Sequence, residues 1–168
     1  MQSKSKVRRR YIAGKYGQLH LRVSGQPSQK PAIICLHMAP KSGRSFQHLM
    51  PFLASDRLVV APDYPGYGES DCPPEEPHVR VEDYAEAVGE VMTQLNLEAV
   101  NLIGYHTGSM VAVEVARHHP SRVKKLINIS APIFTQSELD HFHQYFAPIA
   151  LDEEGARFRI MWERIMKY

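Results

Sequence analysis

Two short runs in this chain, Ala32–His37 and Leu58–Pro62, are apolar at nearly every position rather than at alternate ones. A strand that is apolar on both faces must be covered on both, which chains achieve by laying helices above and below a parallel sheet. The intervening segments supply such helices: Ser42 to Ala54 carries Phe46, Leu49, Met50 and Leu53 at helical spacing, and Val79 to Leu95 aligns Val81, Tyr84, Val88, Val91, Met92 and Leu95 on one stripe. Ala99–Gly104 reads as a further strand, Thr107–His119 as a helix stopped before Pro120, and Lys125–Ser130 as another strand. In front of them, Tyr11–Tyr16 and Gln18–Val23 flank Gly17 and read as an antiparallel hairpin. A hairpin followed by strand–helix alternation predicts an α/β fold, a doubly wound and mostly parallel sheet of about six strands with right-handed crossovers.

After Ile133 the pattern changes. Thr135-Gln-Ser-Glu138 matches a capping box opening a helix toward Phe146, and Asp152 is placed to cap another from Glu153 to Tyr168, with Phe158, Met161, Trp162, Ile165 and Met166 on its apolar side. The expected organisation is a core over residues 1–134 followed by a helical segment over 135–168 that is not an independent domain. The 168 residues, 43% hydrophobic and 23% charged, suffice for one such core.

Charge and hydropathy narrow the function classes. The net charge is only +2, with basic residues gathered at the front (Lys4, Lys6, Arg8, Arg9, Arg10) and no basic, aromatic-rich stripe elsewhere, so nucleic acid is not an expected partner. No apolar run approaches the about 20 residues of a membrane helix, and no signal-peptide core is seen, so a cytoplasmic protein without a membrane partner is expected. Cys35 in an apolar strand and Cys72 in a Pro-rich loop agree with reduced thiols.

Ligands of open parallel sheets bind beyond the carboxyl ends of the strands. Three segments stand there: His37-Met-Ala-Pro40, Asp63-Tyr-Pro-Gly-Tyr-Gly-Glu-Ser70 and Gly104-Tyr-His-Thr-Gly108. The last has the outline of a G-x-S-x-G nucleophile elbow, a sharp strand-to-helix turn that lifts one side chain into a cleft. Histidine occupies the raised position.

In these segments the chain resembles the α/β-hydrolase family. His37–Pro40 is similar to the family's H-G-x-P oxyanion segment, Asp63–Ser70 to its D-x-P-G-x-G-x-S loop, and Gly104–Gly108 to its elbow, all in the family's order. The resemblance spans about Arg10 to Phe134 and makes the helical remainder the beginning of the family's cap. It implies His106 at the nucleophile position, backbone N–H groups of Ala39 and Thr107 as an oxyanion hole, and His37, Met38, Asp63 and Tyr105 around the substrate pocket. Met38 replaces the family's Gly, and His106 its Ser, Asp or Cys. The family's acid and histidine normally follow strands seven and eight, which are not among these residues, and Ser130–Phe134 holds no carboxylate. The implied protein is therefore a truncated member with no complete triad.

Two function classes follow. One is a hydrolase acting on a small-molecule ester or related carbonyl bond, with His106 as base or acyl acceptor; the resemblance makes it incomplete and weak or inactive. The other is a pseudoenzyme, a non-catalytic binding or interaction module. With strand six at the sheet's edge, a homo-oligomer, most simply a dimer, through strand six or the C-terminal helix is expected.

His37, His106 and Asp63 are a donor set that suits zinc or iron, but the resemblance assigns structural uses to His37 and Asp63. Neither a metal nor a cofactor is expected. His118 and His119 read as helix-end residues facing the negative end of the dipole. His141 and His143 do not share a helix face. Glu82, Asp83, Glu86 and Glu90 read as a solvated helix side, and Cys72 as a passive loop thiol. Phe142, Tyr145, Phe146, Trp162 and Met166 fit either a pocket lining or an uncovered core surface.

Overall fold

Strands β1 (Arg8–Gly14) and β2 (Gly17–Ser24) form the expected hairpin, with Arg8 opposite Val23 and Gly14 opposite Gly17. The parallel strands are β3 (Ala32–Leu36), β4 (Val59–Pro62), β5 (Val100–Tyr105) and β6 (Val123–Ile129). They assemble in the order β1-β2-β4-β3-β5-β6, with β2 antiparallel to β4. This computed structural model describes residues 5–75, 79–145 and 152–166, which divide between two units, Met1–Pro132 and Ile133–Tyr168.

The near-continuous apolar strands are explained by what covers them. Ile34, Leu36, Val60, Val100 and Leu102 point to one face, onto Val88, Val91 and Met92 of α2 (Val81–Gln94) and Val111 and Val115 of α3 (Thr107–His118). Their neighbours Ile33, Cys35, Val59, Ala61 and Ile103 point to the other, onto Phe46, Met50 and Ala54. Side chains of a strand alternate between faces, so both must be apolar. Burial pushes the Cys35 thiol up to about 12, which leaves it a packing residue; Cys35 and Cys72 are both free.

The expected single helix over Ser42–Ala54 is instead two short pieces, a 3₁₀ turn at Gly43–Phe46 and α1 (Met50–Leu53). Ser42 caps the first by accepting the Arg44 N–H at 3.3 Å. Pro51, having no N–H to donate, takes the first turn of a new helix rather than the interior of an old one. The burial pattern survives the break: Phe46 and Met50 are buried, while Leu49 is exposed.

β1 and β6 are the two edges. On β6, Ile127 is 54% and Ile129 43% exposed.

In the second unit α4 (Gln136–Tyr145) opens with the predicted reciprocal cap: Thr135 N–H donates to the Glu138 carboxylate at 2.7 Å and Glu138 N–H to the Thr135 hydroxyl at 3.4 Å. Asp152 accepts the N–H groups of Ala156 and Arg157 at 2.8 and 2.9 Å. It therefore caps α5 (Ala156–Met166) later than Glu153, since Gly155 at φ 75° interrupts the helical path. Phe146 and Tyr168 lie outside the described residues. Among the described residues no helix is long and apolar enough to cross a membrane.

Candidate active site

β5 carries the chain from the core to the carboxyl rim of the sheet, with Gly104 flanked by Leu36 of β3 and Asn128 of β6. The chain then turns within one residue. His106 has φ 51° and ψ −117°, and Thr107 already begins α3. A non-glycine residue in this region costs about 1–3 kcal/mol and persists only where its surroundings impose it. They do: His106 N–H donates to the Ile129 carbonyl at 2.8 Å, and its own carbonyl accepts the Ser109 N–H at 2.8 Å. The buried Ser109 hydroxyl adds a bond to the Gly104 carbonyl at 3.0 Å.

Both glycines of the spacing are required by space. A Cβ on Gly104 would stand 2.5 Å from the Gly108 oxygen and 2.6 Å from Ser109 Cα. One on Gly108 would press on the Leu36 carbonyl, with its carbon at 2.6 Å, and lie 2.9 Å from the His37 oxygen. The first turn of α3 thus lies against the end of β3, beside the His37–Pro40 segment. His106 is partly exposed, and its Nδ1 lies 3.4 Å from the Thr107 hydroxyl, its one side-chain partner among the described residues.

The strain gives a prediction. His106→Gly should raise stability by about 1 kcal/mol, the relieved strain less glycine's entropic cost, while His106→Ala keeps the strain and gains nothing. Chemical denaturation of both variants checks it; equal midpoints would contradict an imposed turn.

The oxyanion segment is pinned from behind. His37 is fully buried; its Nε2 accepts the Tyr64 N–H at 3.3 Å and its Nδ1 donates to the Met38 carbonyl at 2.9 Å, with the Tyr64 ring centroid 4.1 Å from its own. Lys41 N–H donates to the same Met38 carbonyl at 2.8 Å. Met38 and Ala39 remain partly exposed at the rim, and the Ala39–Pro40 peptide is cis. Across from them Thr107 opens a helix, where an N–H has no partner within the helix.

Asp63 is a second anchor. Its Oδ1 accepts the Gly43 N–H at 2.7 Å, and its Oδ2 accepts the Glu69 N–H and the His20 Nδ1–H, each at 2.9 Å. Ser70 closes the loop by donating to the Asp63 carbonyl at 2.8 Å while accepting the His20 N–H at 2.9 Å.

The structure therefore gathers Met38, Ala39, Tyr105, His106 and Thr107 at one rim. Tyr105 is 37% exposed. His37 and Asp63, expected around the pocket, are 0% and 1% exposed, and their polar atoms are taken by the backbone and by His20. They shape the site from behind and offer neither a substrate surface nor a metal a free donor. Sequence reading missed His20, whose position within β2 looks like an ordinary strand residue; its bond to Asp63 spans 43 positions.

Burial disfavours the charged form of His37 and lowers its pKa below the usual histidine value, which agrees with a neutral ring accepting the Tyr64 N–H; burial lowers that of His119 as well. A lowered folded pKa means the stability is complete above the unfolded value of about 6.5 and is lost as the pH falls through the folded one. The melting temperature should fall between about pH 7 and pH 5. Carboxylates such as Glu69, held down chiefly by the Tyr11 hydroxyl, and Glu114, held down by Arg117, titrate below this window. Melting curves across the window check this, and a flat response would contradict it.

A family model for the alpha/beta hydrolase fold matches residues 31–153. Epoxide hydrolase 4 of Mus musculus is 32% identical over 120 residues, covering 70% of this chain and 33% of that protein. Epoxide hydrolase 2 of Siraitia grosvenorii is 33% identical over 101 residues, covering 60% and 32%. The chain spans about a third of the length of these curated relatives. Among solved structures, an alpha/beta hydrolase from Novosphingobium aromaticivorans superposes with a TM-score of 0.73 at 23% identity, over 85% of this chain and 51% of that one, a likeness of fold.

Proposed function

Since the chain belongs to the alpha/beta hydrolase fold family, we propose that it is a hydrolase-type protein acting weakly on a small-molecule ester or related carbonyl bond at the turn after β5. The observation that carries this reading is the strained backbone of His106, at φ 51° and ψ −117°, held between two glycines that admit no side chain. Strain of this kind clusters at functional sites. In the proposed reaction the Ala39 and Thr107 N–H groups receive the carbonyl oxygen as it becomes an oxyanion. An imidazole nitrogen of His106 attacks the carbonyl carbon, the bond to the alkoxide leaving group breaks, and the alkoxide departs with the imidazole proton. Water then hydrolyses the acyl-imidazole to the acid and restores His106. Slow turnover is expected because no carboxylate hydrogen-bonds the imidazole among the described residues. The helices of the second unit are, in this reading, the start of the family's cap segment.

Both relatives described above are named epoxide hydrolases. Imidazole chemistry favours a carbonyl substrate instead: opening an epoxide would leave an N-alkyl imidazole, which water does not cleave. Hydrolysis of p-nitrophenyl acetate should fall to background in His106→Ala, by about 10²-fold or more. Styrene oxide should at most add its own mass once, at His106. Equal rates for the two proteins would overturn the proposal.

One observation favours a second, non-catalytic reading. The edge strand β6 exposes Ile127 and Ile129, and such an edge pairs readily with another chain. Under this reading the protein is a homo-oligomeric interaction module joined through β6. Light scattering at micromolar concentration should find a dimer, and a monomer would exclude it.

A further inference from the structure

An open surface depression of about 420 Å³ lies beside the proposed oxyanion segment, lined by Pro40, Lys41, Ser42, Arg44, Ser45 and Gly68. It belongs to the loops that follow β3 and β4, neighbours in the sheet. Its walls carry two cations and two hydroxyls and no carboxylate. Several arginines of this unit are paired, Arg9 and Arg22 with Glu69, Arg57 with Asp56, Arg80 with Glu82 and Arg117 with Glu114, while Arg122 donates to the Leu97 carbonyl. Lys41 and Arg44 are exposed, and neither has a carboxylate within ion-pair distance among the described residues.

The acidic groups nearest the depression are committed elsewhere. The Asp63 carboxylate, behind its floor, is filled by the Gly43 and Glu69 N–H groups and His20. The Glu69 carboxylate turns to Arg9, Tyr11 and Arg22. The floor is closely packed as well: Gly68, at φ 61°, comes so close to the β3 loop that a Cβ there would stand 2.9 Å from the Ser42 Cβ.

We infer that Lys41, Arg44, Ser42 and Ser45 form a binding site for the anionic group, a carboxylate or a phosphate, of a small substrate whose ester lies at His106. The pairing of guanidinium, ammonium and hydroxyl donors suits an oxyanion. The inference extends the proposed hydrolase reading by naming its substrate class. Strands stand about 4.8 Å apart, and the depression sits between the loops of β4 and β3 whereas the turn follows β5. One and a half strand spacings separate the anion from the carbonyl carbon by about 7 Å along the sheet, a span that a monoester of a short dicarboxylic or phosphorylated acid reaches.

Binding is tested apart from catalysis. Adipate and inorganic phosphate are titrated separately into isotope-labelled protein at low salt, following the amide signals of Gly43, Ser45 and Gly68. One or both anions should give saturable shifts, and the tighter of the two identifies the group. Lys41→Gln/Arg44→Gln, which alters only exposed side chains, should weaken that binding about tenfold or more. No saturable shift with either anion at tens of millimolar, or undiminished affinity in the double variant, overturns the inference. In the kinetic arm, the mono-p-nitrophenyl ester of adipate should exceed p-nitrophenyl hexanoate in kcat/KM by about tenfold, and the double variant should erase that preference. A protein that hydrolyses neither ester yet binds the anions at these residues would refute the hydrolase reading and leave the anion site standing.

Discussion

Asp63→Ala should destabilise the core unit by about 3–5 kcal/mol, the range for removing one partner of a buried charged network. The carboxylate is 1% exposed and serves three donors, the Gly43 N–H, the Glu69 N–H and the His20 Nδ1–H. Truncation leaves the Gly43 and His20 donors buried without an acceptor and the partly buried Glu69 N–H unpaired, and each buried orphaned donor costs about 1–3 kcal/mol. Asparagine is no rescue. Its single carbonyl oxygen can face only one side, and its NH2 group then meets a donor on the other, so Asp63→Asn should still cost about 2 kcal/mol or more. The defect should also be local to function, because the Gly43 amide fixes the loop that continues from Ala39. Equilibrium denaturation gives the size of the loss, and hydrogen exchange should show residues 38–45 and 63–70 losing protection first. A loss below about 1 kcal/mol would mean that these bonds are readily replaced by water.

Much of the architecture was legible because its signals are local. The doubly apolar runs at 32–37 and 58–62 demanded two covering layers, and two cores on opposite faces of the sheet meet that demand. The capping pair Thr135 and Glu138 announced α4 from four residues. The helix expected over 42–54 breaks at residues 47–49, just before Pro51, because a proline fits the first turn of a new helix and not the interior of a longer one.

The site divides along the same line. Gly104, His106 and Gly108 lie within one turn, so their spacing carried the geometry. The anchors behind them were not legible, since His20 reaches Asp63 across β2 and β4, and His37 is held by Tyr64 from the neighbouring strand's loop. Such bonds depend on strand order, and no pattern within one segment records them. The same holds for Lys41 and Arg44, which share a depression with the Gly68 loop across a gap of more than 20 residues in sequence.

Gly108→Ala should cost about 3 kcal/mol, at the upper end for forcing one methyl into a filled space, and lower the melting temperature by about 6–12 °C. Helix propensity alone would favour alanine by up to about 1 kcal/mol, so the sign of the effect measures the steric term. The methyl would press on the Leu36 carbonyl, with the His37 oxygen 2.9 Å away, and backbone in a central strand cannot step aside. The helix must move instead, carrying the Thr107 N–H and His106 with it. Gly89 in α2 is the internal control. A Cβ there meets only the His119 ring, at 2.9 Å from Nε2, and a side-chain end can rotate away. Gly89→Ala should therefore be neutral or slightly stabilising. If the two variants melted together, α3 would not be seated on β3 as closely as the turn at His106 requires, and the oxyanion geometry built on that contact would fail with it.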